Sequence, residues 1–251
     1  MSRNQAIIFI SLLAVIIASW CYLYFQHWQM TSLPMSEMWM PPSDTAAWQW
    51  MDFWLVYVMW AVMMAAMMLP SAIPMILVYT KICEKRYQTA HPYGFLFALA
   101  YLLVWLTFSI ALTLLQWQLH GLQFLSPMMD VRHEQMAAII FLLAGVYQFT
   151  PQKNNFLQSC RTPMGFLLTE WRENTTGAFR MGLKHGGMCL GCCWAQMFLM
   201  FAVGVMNLLG MVFITLLVFI EKIIPGHHQF FSKTIGILFI VWGIWLFQTS
   251  S

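Results

Sequence analysis

Three cysteines and a histidine lie close together in the second half of the chain: His185, Cys189, Cys192 and Cys193. Residues three and four apart share one face of an α-helix, so Cys189 lies beside both Cys192 and Cys193 if this segment is helical. Met200 continues that face, and His185 joins it only if the helix extends through the glycine pair that follows it, which weakens helices. Soft sulfur ligands favour Cu(I), and a mixture of thiolate and imidazole also suits Zn(II). The spacing therefore predicts a soft-metal site.

Two other interpretations of these cysteines stay open. Cysteine packs as a small hydrophobic residue in buried helices, and Cys189 with Cys192 is a candidate pair for thiol redox chemistry. Three cysteines within five residues, preceded by His185, fit simple packing less well than scattered cysteines do. In a reducing cytosol, neighbouring thiols are expected to be metal ligands rather than a disulfide. Metal binding is the preferred interpretation.

A methionine-rich segment between Trp60 and Met75 is the second candidate. Its methionines form two helical stripes, one of which contains Met64 and Met68. Pro70 and Pro74 free backbone carbonyls, which a bundle tolerates where partners or cavity water satisfy them. We therefore expect a kinked helix inside the bundle. Its thioethers are either stepping stones for a soft metal or adaptable core packing.

A third group of methionines lies on a polar connection that contains Glu37 and Asp44 but no Lys or Arg: Met35, Met38 and Met40. An exposed loop has little packing use for methionine, whereas thioethers bind Cu(I). We therefore expect a cluster that captures Cu(I) outside the membrane. The alternative is a chance match, because short motifs of this kind have a high false-positive rate.

The composition places these candidates in a membrane. Of the 251 residues, 61% are hydrophobic and 8% are charged, whereas soluble domains contain about 25% charged residues. So few charges cannot cover a water-exposed surface, which excludes a water-soluble globular enzyme and a disordered protein. The net charge of +3 and the lack of a basic run exclude a nucleic-acid-binding protein. The chain is also methionine-rich, with 22 Met.

We predict an all-α polytopic transmembrane helix bundle of about six spans, since about 20 apolar residues cross a bilayer. The spans are predicted at about residues 6–25, 53–79, 93–119, 135–149, 188–220 and 234–247, within a single integral membrane domain of residues 1–251. The polar segment 151–187 is predicted to lie at the cytoplasmic interface. For residues 188–220 we prefer one long helix, with a bend near Gly204 or Gly210, to a re-entrant hairpin.

The distribution of basic residues predicts the orientation, because Lys and Arg concentrate on the cytoplasmic side. Lys81, Lys85 and Arg86 follow the second span, and five basic residues follow the fourth. The N-terminus is therefore predicted to be cytoplasmic, in a bacterial inner membrane. Glu221 and Lys222 close the fifth span and are expected to snorkel or pair at the interface.

Several segments occur in an order that resembles a known family: Trp60–Met75, Cys160-Arg161-x-Pro163-x-Gly165-Phe166, Gly182-x-x-His185-Gly-x-x-Cys189-x-Gly191-Cys192-Cys193-Trp194, Gly204-x-Met206-Asn207 and Glu221-Lys222. They are similar to a bacterial family of predicted metal-binding integral membrane proteins. The likeness covers about residues 54–224. It implies a polytopic inner-membrane protein with a metal site around the cysteines, and it implies no particular reaction.

These observations predict a multi-pass membrane protein that binds a soft metal ion for transport or delivery. Cu(I) is the first expectation and Zn(II) the alternative. The competing functions are a membrane metallo-oxidoreductase, a thiol-redox enzyme and an assembly subunit of a larger membrane complex. An enzyme is less favoured, because the sequence shows no haem, flavin or quinone signature. The expected partners are the lipid bilayer, the metal ion and a membrane or periplasmic protein.

Overall fold

The computed structural model describes residues 2–32, 34, 39–42, 45–87, 91–125, 131, 133–223 and 228–249. Within these ranges the chain is helical, apart from connecting turns and one isolated β-bridge. The helices are α1 (Arg3–Ser32), α2 (Trp50–Arg86), α3 (His91–Gly121), α4 (Glu134–Tyr147), α5 (Pro151–Arg161), α6 (Pro163–Glu170), α7 (Asn174–Val203), α8 (Leu208–Ile223) and α9 (His228–Thr249). The predicted all-α class is confirmed for the described part of the chain.

Five of these helices are long and apolar enough to cross a membrane: α1, α2, α3, α7 and α9. Helix α4 is apolar but has only 14 residues. Five of the six predicted spans coincide with α1, α2, α3, α4 and α9, although the helix boundaries differ from the predicted ones. The predicted interfacial segment 151–187 divides between α5, α6 and the first half of α7.

The close packing of α3 against α7 fixes the position of the cysteine-bearing helix. A Cβ atom at Gly186 would lie 2.8 Å from the Val104 side chain and 3.2 Å from the carbonyl oxygen of Tyr101. A Cβ atom at Gly182 would meet the backbone of Phe97 even more closely. Small residues allow two helix backbones to approach in this way. The register therefore brings Tyr101 next to the helical turn before Cys189.

The prediction of one long helix over residues 188–220 is wrong. Helix α7 ends at Val203 and α8 begins at Leu208, and Gly204 between them has φ = 101°. This backbone region is accessible to glycine because it has no Cβ atom. The Asn207 side chain then accepts a hydrogen bond of 3.1 Å from the Gly210 amide and so caps the start of α8.

The two helices form a hairpin, which agrees with the alternative prediction for this stretch. Cys189 lies 14 residues before the end of α7, and Lys222 lies 14 residues after the start of α8. Their side chains are in contact, with the Nζ atom of Lys222 2.9 Å from the Sγ atom of Cys189. Helix α8 therefore returns along α7 to the level of the cysteines.

Glu221 and Lys222 do not snorkel to water, for the same reason, and their position relative to a membrane interface stays a prediction. The hairpin carries both residues back into the bundle, where Glu221 is 2% exposed and Lys222 is 7% exposed. Buried charges are costly unless they are paired. Each of these residues therefore needs a compensating partner inside the bundle.

We expect Gly204→Ala to lower the free energy of unfolding by about 1–3 kcal/mol, since a Cβ atom strains this backbone region. The matched control is Gly187→Ala, because Gly187 is helical and a Cβ atom there meets nothing within 4 Å. The control should be neutral or stabilising by up to about 1 kcal/mol. Unfolding of both variants in detergent micelles measures the difference, and equal stabilities would contradict the role of Gly204.

Candidate metal centre

Helix α7 holds three buried thiols on one face. Cys189, Cys192 and Cys193 are each 1% exposed. The Sγ atom of Cys192 lies 3.1 Å from the carbonyl oxygen of Cys189, one helical turn earlier, and 3.2 Å from the Sγ atom of Cys193. The structure therefore brings together the three cysteines that the sequence selects.

A fourth cysteine joins them from α5. The Sγ atoms of Cys160, Cys189 and Cys192 all lie within 4.8 Å of one another, and the Cys160–Cys192 distance is 3.9 Å. Helix α5 begins at a cap in which the Thr150 side chain accepts a hydrogen bond from the Lys153 amide. It ends at Arg161, and Cys160 therefore sits in its last turn, where the helix meets α7.

The surroundings of Cys160 act on its protonation. Hydrogen bonding to Cys189 is the largest cause that raises the pKa of the Cys160 thiol well above its usual range, and burial adds to it. A proton shared between sulfur atoms is displaced when a metal binds, because the thiolate is the ligand form. Metal uptake at this cluster would therefore release protons.

The sulfur–sulfur distances fit a shared metal ion. Three sulfurs in a plane around an ion at about 2.3 Å lie about 4.0 Å apart. The Cys160–Cys192 distance of 3.9 Å matches this value, and the limit of 4.8 Å for the trio requires only small shifts. The distance of 3.2 Å between the Sγ atoms of Cys192 and Cys193 is shorter than the distance between two sulfur ligands of one ion. Cys193 therefore lies beside the trio that we call the sulfur triad: Cys160, Cys189 and Cys192.

Two side chains from other helices contact the sulfur of Cys189. The Tyr101 hydroxyl on α3 lies 3.1 Å from this sulfur and donates a hydrogen bond of 3.2 Å to the Met68 carbonyl oxygen. The Lys222 ammonium on α8 lies 2.9 Å from the same sulfur and donates to the Ser71 hydroxyl at 3.0 Å. An ammonium at this distance stabilises an ionised sulfur.

The neighbouring charge, Glu221, has its own cation. The Lys153 ammonium lies 2.7 Å from a Glu221 carboxylate oxygen, and the two side chains are 1% and 2% exposed. Gln196 donates a hydrogen bond of 3.2 Å to this carboxylate, and Ser232 also contacts it. Because Lys153 balances Glu221, the charge of Lys222 remains to be balanced by the sulfur cluster.

His185 does not join the sulfur triad. It is 3% exposed and packs against three aromatic rings, with centroid distances of 5.6 Å to Tyr101, 5.9 Å to Phe97 and 5.5 Å to Phe166. Its Nδ1 atom is buried without a hydrogen-bond partner among the described residues. The helix does continue through the following glycines, but the imidazole is not among the groups whose ligand atoms all lie within 4.8 Å of one another.

The predicted methionine ligands lie in different places. Met64, Met68 and Met200 are completely buried, which is compatible with core packing and with a path for a soft ion. Met40 is half-buried on the connection before α2. Met35 and Met38 lie outside the described residues, so the predicted outer cluster stays a prediction.

Three residues of the centre were not among the site residues predicted from the sequence: Cys160, Tyr101 and Lys222. Cys160 carries a usable signal, because it lies in one of the segments of the resemblance, together with Arg161 and Pro163. Tyr101 and Lys222 carry none, since their positions depend on the helix packing and on the hairpin. Within the described ranges, the trio of Cys160, Cys189 and Cys192 is the group of potential metal-binding side chains whose ligand atoms converge.

Comparison with known proteins gives one finding. The model of the family PpoB2, described as a copper chaperone, matches residues 57–246. The match includes α3–α8 completely and most of α2 and α9, with all residues of the sulfur triad. Neither a curated protein nor a solved structure matches the chain.

Removal of one partner of the Lys153–Glu221 pair should be strongly destabilising. We expect Lys153→Met alone to lower the free energy of unfolding by about 3–5 kcal/mol, because it leaves a buried charge without its partner. The double variant Lys153→Met with Glu221→Gln should recover part of this loss. A double-mutant cycle in detergent measures the coupling, and strictly additive losses would show that the pair is not a unit.

Proposed function

Because the chain belongs to the copper chaperone family PpoB2, we propose that it binds Cu(I) at the sulfur triad and delivers it to another protein. The observation that carries this proposal is the convergence of three cysteine sulfurs from two helices within 4.8 Å. Thiolates are soft ligands, and soft ligands select Cu(I). Zn(II) fits less well, because structural zinc sites use four protein ligands and three ligand atoms converge here.

The bundle is proposed to lie in the bacterial cytoplasmic membrane, with the N-terminus in the cytoplasm. The five long apolar helices support membrane insertion by their length and composition. Arg86 at the end of α2 forms a 3.3 Å salt bridge with Glu173 at the start of α7, so these helix ends share one side of the bundle. That side carries Lys81 and Lys85 as well, and the positive-inside rule assigns it to the cytoplasm.

The buried position of the triad suits temporary storage of a reactive ion. Cys189 and Cys192 are each 1% exposed, so bulk water and competing ligands have little access. Cys160 is half-buried on a short helix that is too polar to span a membrane, and it connects the site to the cytoplasmic side of the bundle. Ligand exchange through Cys160 would let a partner protein take the ion without opening the bundle.

The methionines extend the proposal towards the outer side. Met64 and Met68 are buried in the half of α2 that precedes Ser71, the residue that contacts Lys222. We propose that these thioethers pass Cu(I) along α2, and that Met35, Met38 and Met40 capture or release it outside. The partner is then a membrane or periplasmic copper protein.

We expect the purified full chain to bind one Cu(I) under anaerobic conditions, as measured by competition with a chromophoric Cu(I) chelator. Cys160→Ser, Cys189→Ser and Cys192→Ser should each weaken binding by more than about tenfold, since even residues that only support a ligand contribute about 10–100-fold.

Cys83→Ser is the matched control, because Cys83 is a buried thiol on α2 that is not part of the triad. Its Cu(I) affinity should equal that of the parent chain. Unchanged binding in all three triad variants, or an equal loss in the control, would contradict a copper site at the triad.

A further inference from the structure

Lys222 is a buried cation that directly contacts a proposed metal ligand. Its side chain is carried by α8, is 7% exposed, and places Nζ 2.9 Å from the sulfur of Cys189. The other partner found for this ammonium in the described structure is the neutral hydroxyl of Ser71, at 3.0 Å. A fixed positive charge next to a metal-binding site repels the metal ion and so lowers the affinity for it. The position of Lys222 therefore calls for an explanation.

The neighbouring acid does not neutralise Lys222. The Glu221 carboxylate is engaged by Lys153 at 2.7 Å, and by the side chains of Gln196 and Ser232. The positive charge at Lys222 is therefore balanced by negative charge on the sulfur cluster. Any metal ion that binds there has to share those thiolates with the lysine.

We propose that Lys222 is the charge-selectivity element of this site, and that it makes the buried thiolates prefer a monovalent soft cation to a divalent one. This inference rests on the proposed copper site and adds a residue that acts through the ligands rather than as a ligand. The attraction of the ammonium for the thiolates is the same for every metal. Its repulsion of the bound ion is twice as large for a divalent ion.

The distances make this repulsion large. An ion bound to the Cys189 sulfur at about 2.3 Å lies at most about 5 Å from the ammonium, which is 2.9 Å from the same sulfur. At that separation, one additional unit of charge on the ion changes the binding constant on the order of 100-fold at an effective dielectric constant of about 20. The surrounding helices keep water out, so solvent screening is weak.

The test is the ratio of Cu(I) to Zn(II) affinity of the full chain in detergent, measured by chelator competition for each metal. Lys222→Met and Lys222→Gln should lower this ratio by at least about tenfold, and Lys222→Arg, which keeps the charge, should preserve it. Lys184→Met is the control for net charge, since Lys184 lies on α7 but is 47% exposed. A variant that merely damages the site lowers the affinity for both metals and leaves the ratio of the two affinities unchanged.

A second pair of variants, at Ser71, tests the same charge effect while Lys222 is retained. Ser71→Asp places a carboxylate beside the ammonium and should lower the ratio as Lys222→Met does, whereas Ser71→Asn should not. This pair decides the question if the Lys222 variants do not fold. If the parent chain binds no Cu(I), the proposed function fails. If it binds Cu(I) with a ratio that neither Lys222→Met nor Ser71→Asp changes, the function stands and the role of Lys222 is refuted.

Discussion

The contact between the Lys222 ammonium and the Cys189 sulfur is the interaction on which the rest of the structure depends. Burial of an ammonium in an apolar bundle is favourable only when a negative group compensates it. Here the compensating group is a sulfur 2.9 Å away, because Lys153 already balances Glu221. The pairing also requires α8 to run back along α7, and the glycine at position 204 permits that reversal. The hairpin between α7 and α8 is therefore what brings the charge of Lys222 to the cysteines.

The remaining helices bring the other parts of the centre to this contact. Close approach of α3 to α7 at Gly186 places the Tyr101 hydroxyl 3.1 Å from the Cys189 sulfur. Helix α2 contributes Ser71 to Lys222, and the short helix α5 contributes Cys160. The site assembled from five helices is tightly packed between α3 and α7 and is partly exposed at Cys160. That division suits an ion that must be held firmly and then passed on.

Much of this could be predicted from the sequence, because the signals are local. Apolar segments of helical length predict the all-α class, and spacing of three residues puts Cys189 and Cys192 on one face of α7. What the sequence did not reveal depends on contacts between distant segments. Glycine at position 204 signals either a bend or a reversal, and the burial of Glu221 and Lys222 distinguishes the two. Cys160 lies on the polar segment predicted to be interfacial, and the packing of α5 against α7 brings its sulfur to the triad. His185 has the right spacing, but neighbouring aromatic rings determine where its imidazole lies.

X-ray absorption at the copper edge tests the central claim most directly, since it reports the atoms bound to the ion. The full chain loaded with one equivalent of Cu(I) and the Cys160→Ser variant are the two samples to compare. We expect a shell of three sulfur atoms at about 2.3 Å in the parent chain and two sulfur atoms in the variant. A shell that contains imidazole nitrogen, or one that is identical in the two samples, would contradict Cu(I) binding at the sulfur triad.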